Sequence, residues 1–296
     1  MGLGRHAVEA IAREHMHRKV DGDVLMIGRQ TVYFSGEDLL SVLREVGVDL
    51  KGVDPNTIEV DKETIDRRAK HASRALVSDR GLFRALGARS VRALDHSAYE
   101  GAEVIHDLRY PLPQALNGIA DFIVDGSTLD NVFTPSVTLA NYAALLRPGG
   151  RLIAINAFSA HDTPYAIMPP LWYVDYFVMN GFADCKVYII AWDQNRDNVF
   201  YVDLDFLRSA KRQMGRFHSP FHMATLVMAE RGEQATTDRL PNQQDYRSEA
   251  EWDIYLRNLD RMLTSKRHHL ARSRHPQFYT DPVGGHRYVD SSFAAR

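Results

Sequence analysis

Cysteine is almost missing. Cys185 is the only one in 296 residues, so no internal disulfide can form, and the composition suits a reducing cytoplasm. Long apolar runs are missing too. No stretch approaches the roughly 20 residues of a membrane span. The opening "MGLGRHAVEAIAREHMHR" lacks the unbroken apolar centre of a secretory leader, and without Ser or Thr at position 6 it does not complete a myristoylation pattern. Neither sign of charge dominates: 36 Lys and Arg face 38 Asp and Glu, for a formal net charge of −2. Nothing global therefore draws the chain toward nucleic acid or an anionic membrane. These absences lead to the expectation of a soluble, cytoplasmic protein with an ordinary globular core.

Glycine is missing where it matters most. "VLMIGRQ", residues 24–30, reads as an apolar strand arriving where a phosphate or cofactor loop should begin, yet only Gly28 is present. Arg29 and Gln30 follow it. A nicotinamide or P-loop enzyme would need a glycine-rich phosphate cradle there, so those readings fail. No metal site is expected either. His268, His269 and His275 in the basic tail lack ligand spacing with carboxylates or cysteines.

The segments that are present alternate in period. Residues 5–18 place Ala7, Ile11 and Met16 as a short amphipathic helix. "SGEDLLSVLREVGV" predicts a helix capped by Ser35, striped by Leu39, Leu40, Leu43 and Val46, and ended by Gly47. Residues 48–80 are polar and read as a helical insertion with a solvated, charged face. Strands are then expected at 90–95, 103–107, 120–126, 151–156, 185–192 and 222–230, with helices at 136–146 and 169–182 between them. Such alternation predicts an α/β fold: a Rossmann-like, seven-stranded, mostly parallel sheet with helices on both faces. The expected division is an α/β domain over 1–232 and a helix with a basic tail over 233–296. Cys185, inside an apolar strand, reads as a buried thiol.

Three stretches carry a resemblance. "ADFIVDGSTLDNVFTPSVTLANYAALLRPGGRLIAIN" has an acid-ended strand, a loop, a helix, and a Leu-Arg-Pro-Gly-Gly turn into the next strand. "SVRALDHSAYEGA" and "EVIHDLRYPLP" each end a strand on an acid. In this order they resemble a class I S-adenosylmethionine-dependent methyltransferase over roughly residues 20–230. The resemblance implies S-adenosylmethionine as cofactor, with Asp95 accepting the ribose hydroxyls and Asp107 meeting the adenine amine. His96, Leu108, Asp125 and Gly126 would stand beside them, and Gly28 would be the surviving turn glycine. The residues point the same way independently. Gly28, Asp95, Asp107 and Asp125 all fall at carboxyl ends of strands, where ligands of open parallel sheets bind. Three acids suit a ribose diol, an amine and a sulfonium better than a pyrophosphate.

Each of these has a plainer structural reading. Asp95 could cap a turn, Asp125 could end its strand without touching a ligand, and His106 could be a packed strand histidine. Arg29 and Gln30 depart from the acid and Gly-x-Gly-x-Gly of the class. A guanidinium there could bind the cofactor carboxylate or sit in a salt bridge. No sharp catalytic motif follows, since methyl transfer asks the protein mainly to orient the acceptor and exclude water. The candidates are Asp130, Asn131 and His161 as orienting or basic groups, with Tyr165, Trp172, Tyr173 and Tyr176 as an acceptor pocket or as core. The expected substrate is a small molecule, without nucleic-acid or membrane partners. The tail leaves room for a homodimer by crossing to a second subunit. The alternative is a methyltransferase-like fold that has lost catalysis and serves as a binding or assembly subunit.

Overall fold

A computed structural model describes residues 2–61, 75–159, 165–192, 197–201, 204–208, 223–266, 279–280 and 286–287. Its main sheet has eight strands: β1 Asp23–Ile27, β2 Ser90–Asp95, β3 Val104–Ile105, β4 Ala120–Asp125, β5 Leu146–Ala157, β6 Asp184–Trp192, β7 Asp197–Tyr201 and β8 Met223–Glu230. Their spatial order is 3-2-1-4-5-8-6-7. The first five are parallel, whereas β8 runs antiparallel between β5 and β6, and β7 runs antiparallel on the edge. The seven expected strands are all present. The eighth is β7, which the sequence did not announce. The Pro148–Gly150 turn is drawn into the start of β5, where Gly149 N–H donates to the Arg231 carbonyl at 2.7 Å.

Strand alternation explains why both faces are covered. Along β1, Leu25 and Ile27 enter one core cluster while Val24 and Met26 enter the other. The Val24 face is packed by α1 (Arg5–His17), α2 (Gly36–Val46) and α3 (Asp79–Ala85). The Leu25 face is packed by α4 (Pro135–Leu145), α5 (Pro170–Met179) and α6 (Glu249–Thr264). Chain order reverses at β1, with β2 and β3 to one side and β4 and β5 to the other. That reversal opens a crevice at the carboxyl ends of β1 and β4.

The caps follow the sequence. Ser35 Oγ accepts the Asp38 N–H, and Gly47 closes α2 at φ +102°. Ser248 and Glu251 form a reciprocal capping box at the start of α6. Tyr255, Leu259, Met262 and Leu263 of α6 belong to the same core as the sheet. Buried charge fixes α1: Lys186 Nζ lies 2.6 Å from Glu14 Oε1, and Arg151 donates to the Glu14 carbonyl at 3.0 Å. Of the insertion, a single helical turn at Pro55–Thr57 and a bridge between Val60 and Val77 are seen; residues 62–74, where most of the expected helix falls, lie outside the described residues. So do His268, His269 and His275. Cys185 is fully buried, and burial pushes its thiol well up. Among the described residues no helix is long and apolar enough to cross a membrane, and no cluster of side chains could hold a metal ion.

Candidate active site

A cleft of about 570 Å³ lies where the strand order reverses. The ends of β1, β2 and β3 build one wall, through Gly28, Asp95 and Asp107; the loop after β4 builds the other, through Thr128, Asn131 and Phe133. Gly28 turns the chain at φ +67°. A β-carbon there would meet Thr128 Oγ1, Asp95 Oδ2 and Gln30 Nε2 at 3.6–3.8 Å, which is ordinary contact. Against the protein's own atoms, glycine is therefore needed there for its conformation and not for space.

Asp95 Oδ1 is held by His96 Nδ1 at 2.6 Å. Its Oδ2 has no hydrogen-bond partner among the described residues, and it faces the turn at Gly28. This leaves one carboxylate oxygen available to a ligand hydroxyl. Asp107 is differently placed. Arg109 grips both of its oxygens, Nη2 at 2.6 Å from Oδ2 and Nε at 3.0 Å from each, and donates its backbone N–H as well. Those bonds hold the Asp107 carboxyl down at about 2. Any ligand amine has to share or displace Arg109. His96, His106 and Leu108 also line the cleft, and His106 Nε2 lies 3.2 Å from the Tyr110 carbonyl.

In the structure the Arg29 and Gln30 side chains bond the protein's own groups. Neither Arg29 nor Gln30 lines the cleft. Arg29 Nε bonds both oxygens of buried Asp79 at 3.0 and 2.9 Å, while its terminal nitrogens reach Asp61 at 3.3 Å and the Glu100 carbonyl at 3.3 Å. Asp79 also accepts the Gln30 N–H, so one acid at the start of α3 anchors both residues. Gln30 is buried, its Nε2 donating to the Ile27 carbonyl at 3.1 Å. It fills the space that Gly126 leaves. A β-carbon on Gly126 would fall 2.3 Å from Gln30 Oε1, and Gly126 itself is buried behind the cleft.

The two acids of the β4 loop are also turned inward. Asp125 is fully buried and accepts the N–H groups of Thr128 and Leu129 and the Asn156 amide, while burial raises its carboxyl to about 6. Asp130 is fully buried beneath the same loop. It accepts the Ser127 hydroxyl at 2.8 Å, the Ala157 N–H at 2.7 Å and the Asn131 amide at 3.0 Å, and burial raises its carboxyl too. Ser127 is held at φ +79°, an unusual value for a residue with a β-carbon, and its hydroxyl bonds Asp130. These contacts hold Asp125 and Asp130 in the frame of the loop, and neither lines the cleft. Asn131 does line the cleft.

The aromatic pocket expected from 165–176 divides. Tyr165 lines the cleft. Tyr173 and Tyr176 are buried core residues of α5, Tyr176 donating its hydroxyl to the Thr237 carbonyl at 2.8 Å, and Trp172 packs edge-on to Tyr173. Trp172 is only partly buried, as are Leu171 and Asp175 on the same helix. His161 lies outside the described residues. The sequence reading missed Phe133, Thr128 and Arg109. A phenylalanine in the loop "STLDNVFTP", just ahead of the next helix, was the available signal for the first.

No family model matches the chain, and no curated protein matches it in sequence. Solved structures align with most of the chain at low identity. The methyltransferase domain of a citrinin polyketide synthase aligns with 77% of this chain and 52% of its own length at 9% identity and a TM-score of 0.40. This chain thus spans about half of that structure. A structure described as a putative methyltransferase from Bacillus halodurans aligns with 76% of this chain and 98% of its own length, at 10% identity and a TM-score of 0.36. One described as a putative hemolysin from Streptococcus thermophilus aligns with 88% and 75%, at 11% identity and a TM-score of 0.37.

Proposed function

We propose that the chain is an S-adenosylmethionine-dependent methyltransferase acting on a small molecule. The observation that carries this reading is the free Oδ2 of Asp95 beside the left-handed turn at Gly28, at the reversal point of the sheet. That oxygen suits a ribose diol, and a turn without side chain lets a ligand approach the backbone. The donor set fits the cofactor: Asp95 would take the ribose, Leu108 and Val132 would give apolar walls to a flat base, and Asp107 would meet the base's amine once Arg109 turns outward. When bound, the cofactor supplies an electrophilic methyl group on a sulfonium. The chain's own residues then have a modest task. They orient the acceptor and keep water out, and a base is required only if the acceptor must lose a proton before attack. Asn131 belongs to the orienting group. His161 keeps its candidacy as that base.

Isothermal titration with S-adenosylmethionine and S-adenosylhomocysteine tests the reading. Binding is expected, and Asp95→Ala should weaken it tenfold or more, in line with loss of hydrogen bonds to a charged acceptor. No heat and no thermal protection by either compound would overturn it. That result would favour the alternative of a fold that has lost catalysis and acts as a binding or assembly subunit, for which Arg109 closed over Asp107 is the supporting observation.

A further inference from the structure

Two aromatic rings at the mouth of the cleft have no structural employment. Phe133 is 79% exposed and Tyr165 is 74% exposed. Neither belongs to either core cluster, yet both line the cleft and they touch each other, with ring centroids 6.0 Å apart and planes at 80°. They come from different loops, Phe133 from the segment after β4 and Tyr165 from the segment after β5. Exposed aromatic surface is costly to leave in water, and a contiguous pair on a pocket rim marks a binding surface more than a scattered ring does.

Their geometry selects a shape. Two rings at nearly right angles form a corner. A third flat ring laid against the face of one would present its edge to the other, so a single planar guest would make a stacked and an edge-to-face contact together. A saturated ring of the same size gains neither. Asn131 adds a polar element in the same cleft. Its amide nitrogen already donates to the Ser127 carbonyl at 2.8 Å and to Asp130 Oδ1 at 3.0 Å, which commits both N–H groups and leaves Oδ1 as an acceptor. A guest carrying an N–H or O–H on its ring matches that oxygen.

We infer that the acceptor of the proposed methyltransferase is a planar aromatic or heteroaromatic small molecule with a ring-borne N–H or O–H, held in the corner formed by Phe133 and Tyr165. The inference rests on the methyltransferase reading for the word acceptor; the ring site itself rests on the two side chains.

The test pairs flat and saturated probes on the full chain, with and without saturating S-adenosylhomocysteine. Phenol and catechol are compared with cyclohexanol and 1,2-cyclohexanediol by ligand-observed NMR titration. The flat member of each pair should bind at least tenfold tighter. Phe133→Ala and Tyr165→Ala should each weaken the flat probes by about five- to tenfold. Equal binding of both members of a pair, or flat probes held as well by the variants as by the parent, would overturn the inference. A dimer that dissociates on Phe133→Ala and no ring binding would reassign the pair to an interface and overturn it as well. The two readings fail separately. Phe133-dependent ring binding without S-adenosylhomocysteine binding sinks the cofactor reading alone, and the converse sinks the ring site alone.

Discussion

Gln30 Oε1 occupies the place that a β-carbon on Gly126 would take, the two positions lying 2.3 Å apart. The residue that breaks the expected glycine motif after β1 is thus accommodated by a glycine after β4. Each would be a poor choice without the other. Gln30 is buried and tied to the Ile27 carbonyl, so it cannot swing aside freely.

Gly126→Ala should therefore destabilise the parent by about 1–3 kcal/mol, the usual range for overpacking a tight site. In a Gln30→Ala background the same change should cost measurably less. Urea unfolding of the four proteins of this double-mutant cycle gives the coupling directly. A coupling of zero would mean that the two residues do not meet.

Arg29 links the turn to α3 and to the insertion. Its guanidinium sits against Asp79, which is fully buried, and Asp61. Arg29→Met leaves the Asp79 carboxylate without its cation, and breaking a buried pair from one side typically costs about 3–5 kcal/mol. We expect a loss near the lower end, because Asp79 keeps the N–H groups of Gln30 and Arg80. Arg29→Lys should rescue little, since one ammonium cannot reproduce the forked contact. S-adenosylhomocysteine affinity should change less than threefold in either variant. A tenfold loss of affinity at unchanged stability would place the guanidinium in the cofactor site instead.

Arg109 makes the opposite kind of pair. Its contact with Asp107 faces solvent, and such pairs contribute little to stability. Arg109→Ala should leave the unfolding midpoint nearly unchanged while freeing Asp107. S-adenosylhomocysteine should then bind severalfold tighter by isothermal titration. Weaker binding would show that Arg109 itself contacts the ligand.

The placement of the cleft was legible because it depends on rules that act within a strand. Acids at strand ends, one turn glycine and the switch-point rule are enough to put Gly28, Asp95 and Asp107 on one wall. The partners of those residues were hidden for a physical reason. Arg29 and Asp79 are 50 positions apart and meet only through the fold. Asp125 and Asp130 look in the sequence like any acids after a strand; whether they face a ligand or the amides of their own loop depends on burial, which period alone does not encode. The aromatic helix at Pro170–Met179 was ambiguous for the same reason, because it is packed by the sheet on one side and α6 on the other. The edge strand β7 was overlooked because five residues paired to a single neighbour carry too short a sequence pattern to reveal a strand.

Asp61 gives a prediction in pH. Burial and the nearby Asp79 push its carboxyl up to about 6, above an ordinary value near 3.8, and its Oδ2 is buried without a hydrogen-bond partner among the described residues. The folded chain then binds a proton at Asp61 more readily than the unfolded chain does between about pH 4 and 6. Its contribution to stability is present below pH 4 and is lost as pH rises through 6. Asp61→Asn removes this dependence. Allowing for partial solvent screening, the variant should gain about 1–2 kcal/mol on the parent at pH 7.5 relative to their difference at pH 4.5. Asp125, also raised to about 6, titrates in both proteins and cancels in the comparison. Urea unfolding of parent and variant at the two pH values reads the effect, and an equal difference at both would show that Asp61 is ionised as readily in the fold as in the open chain.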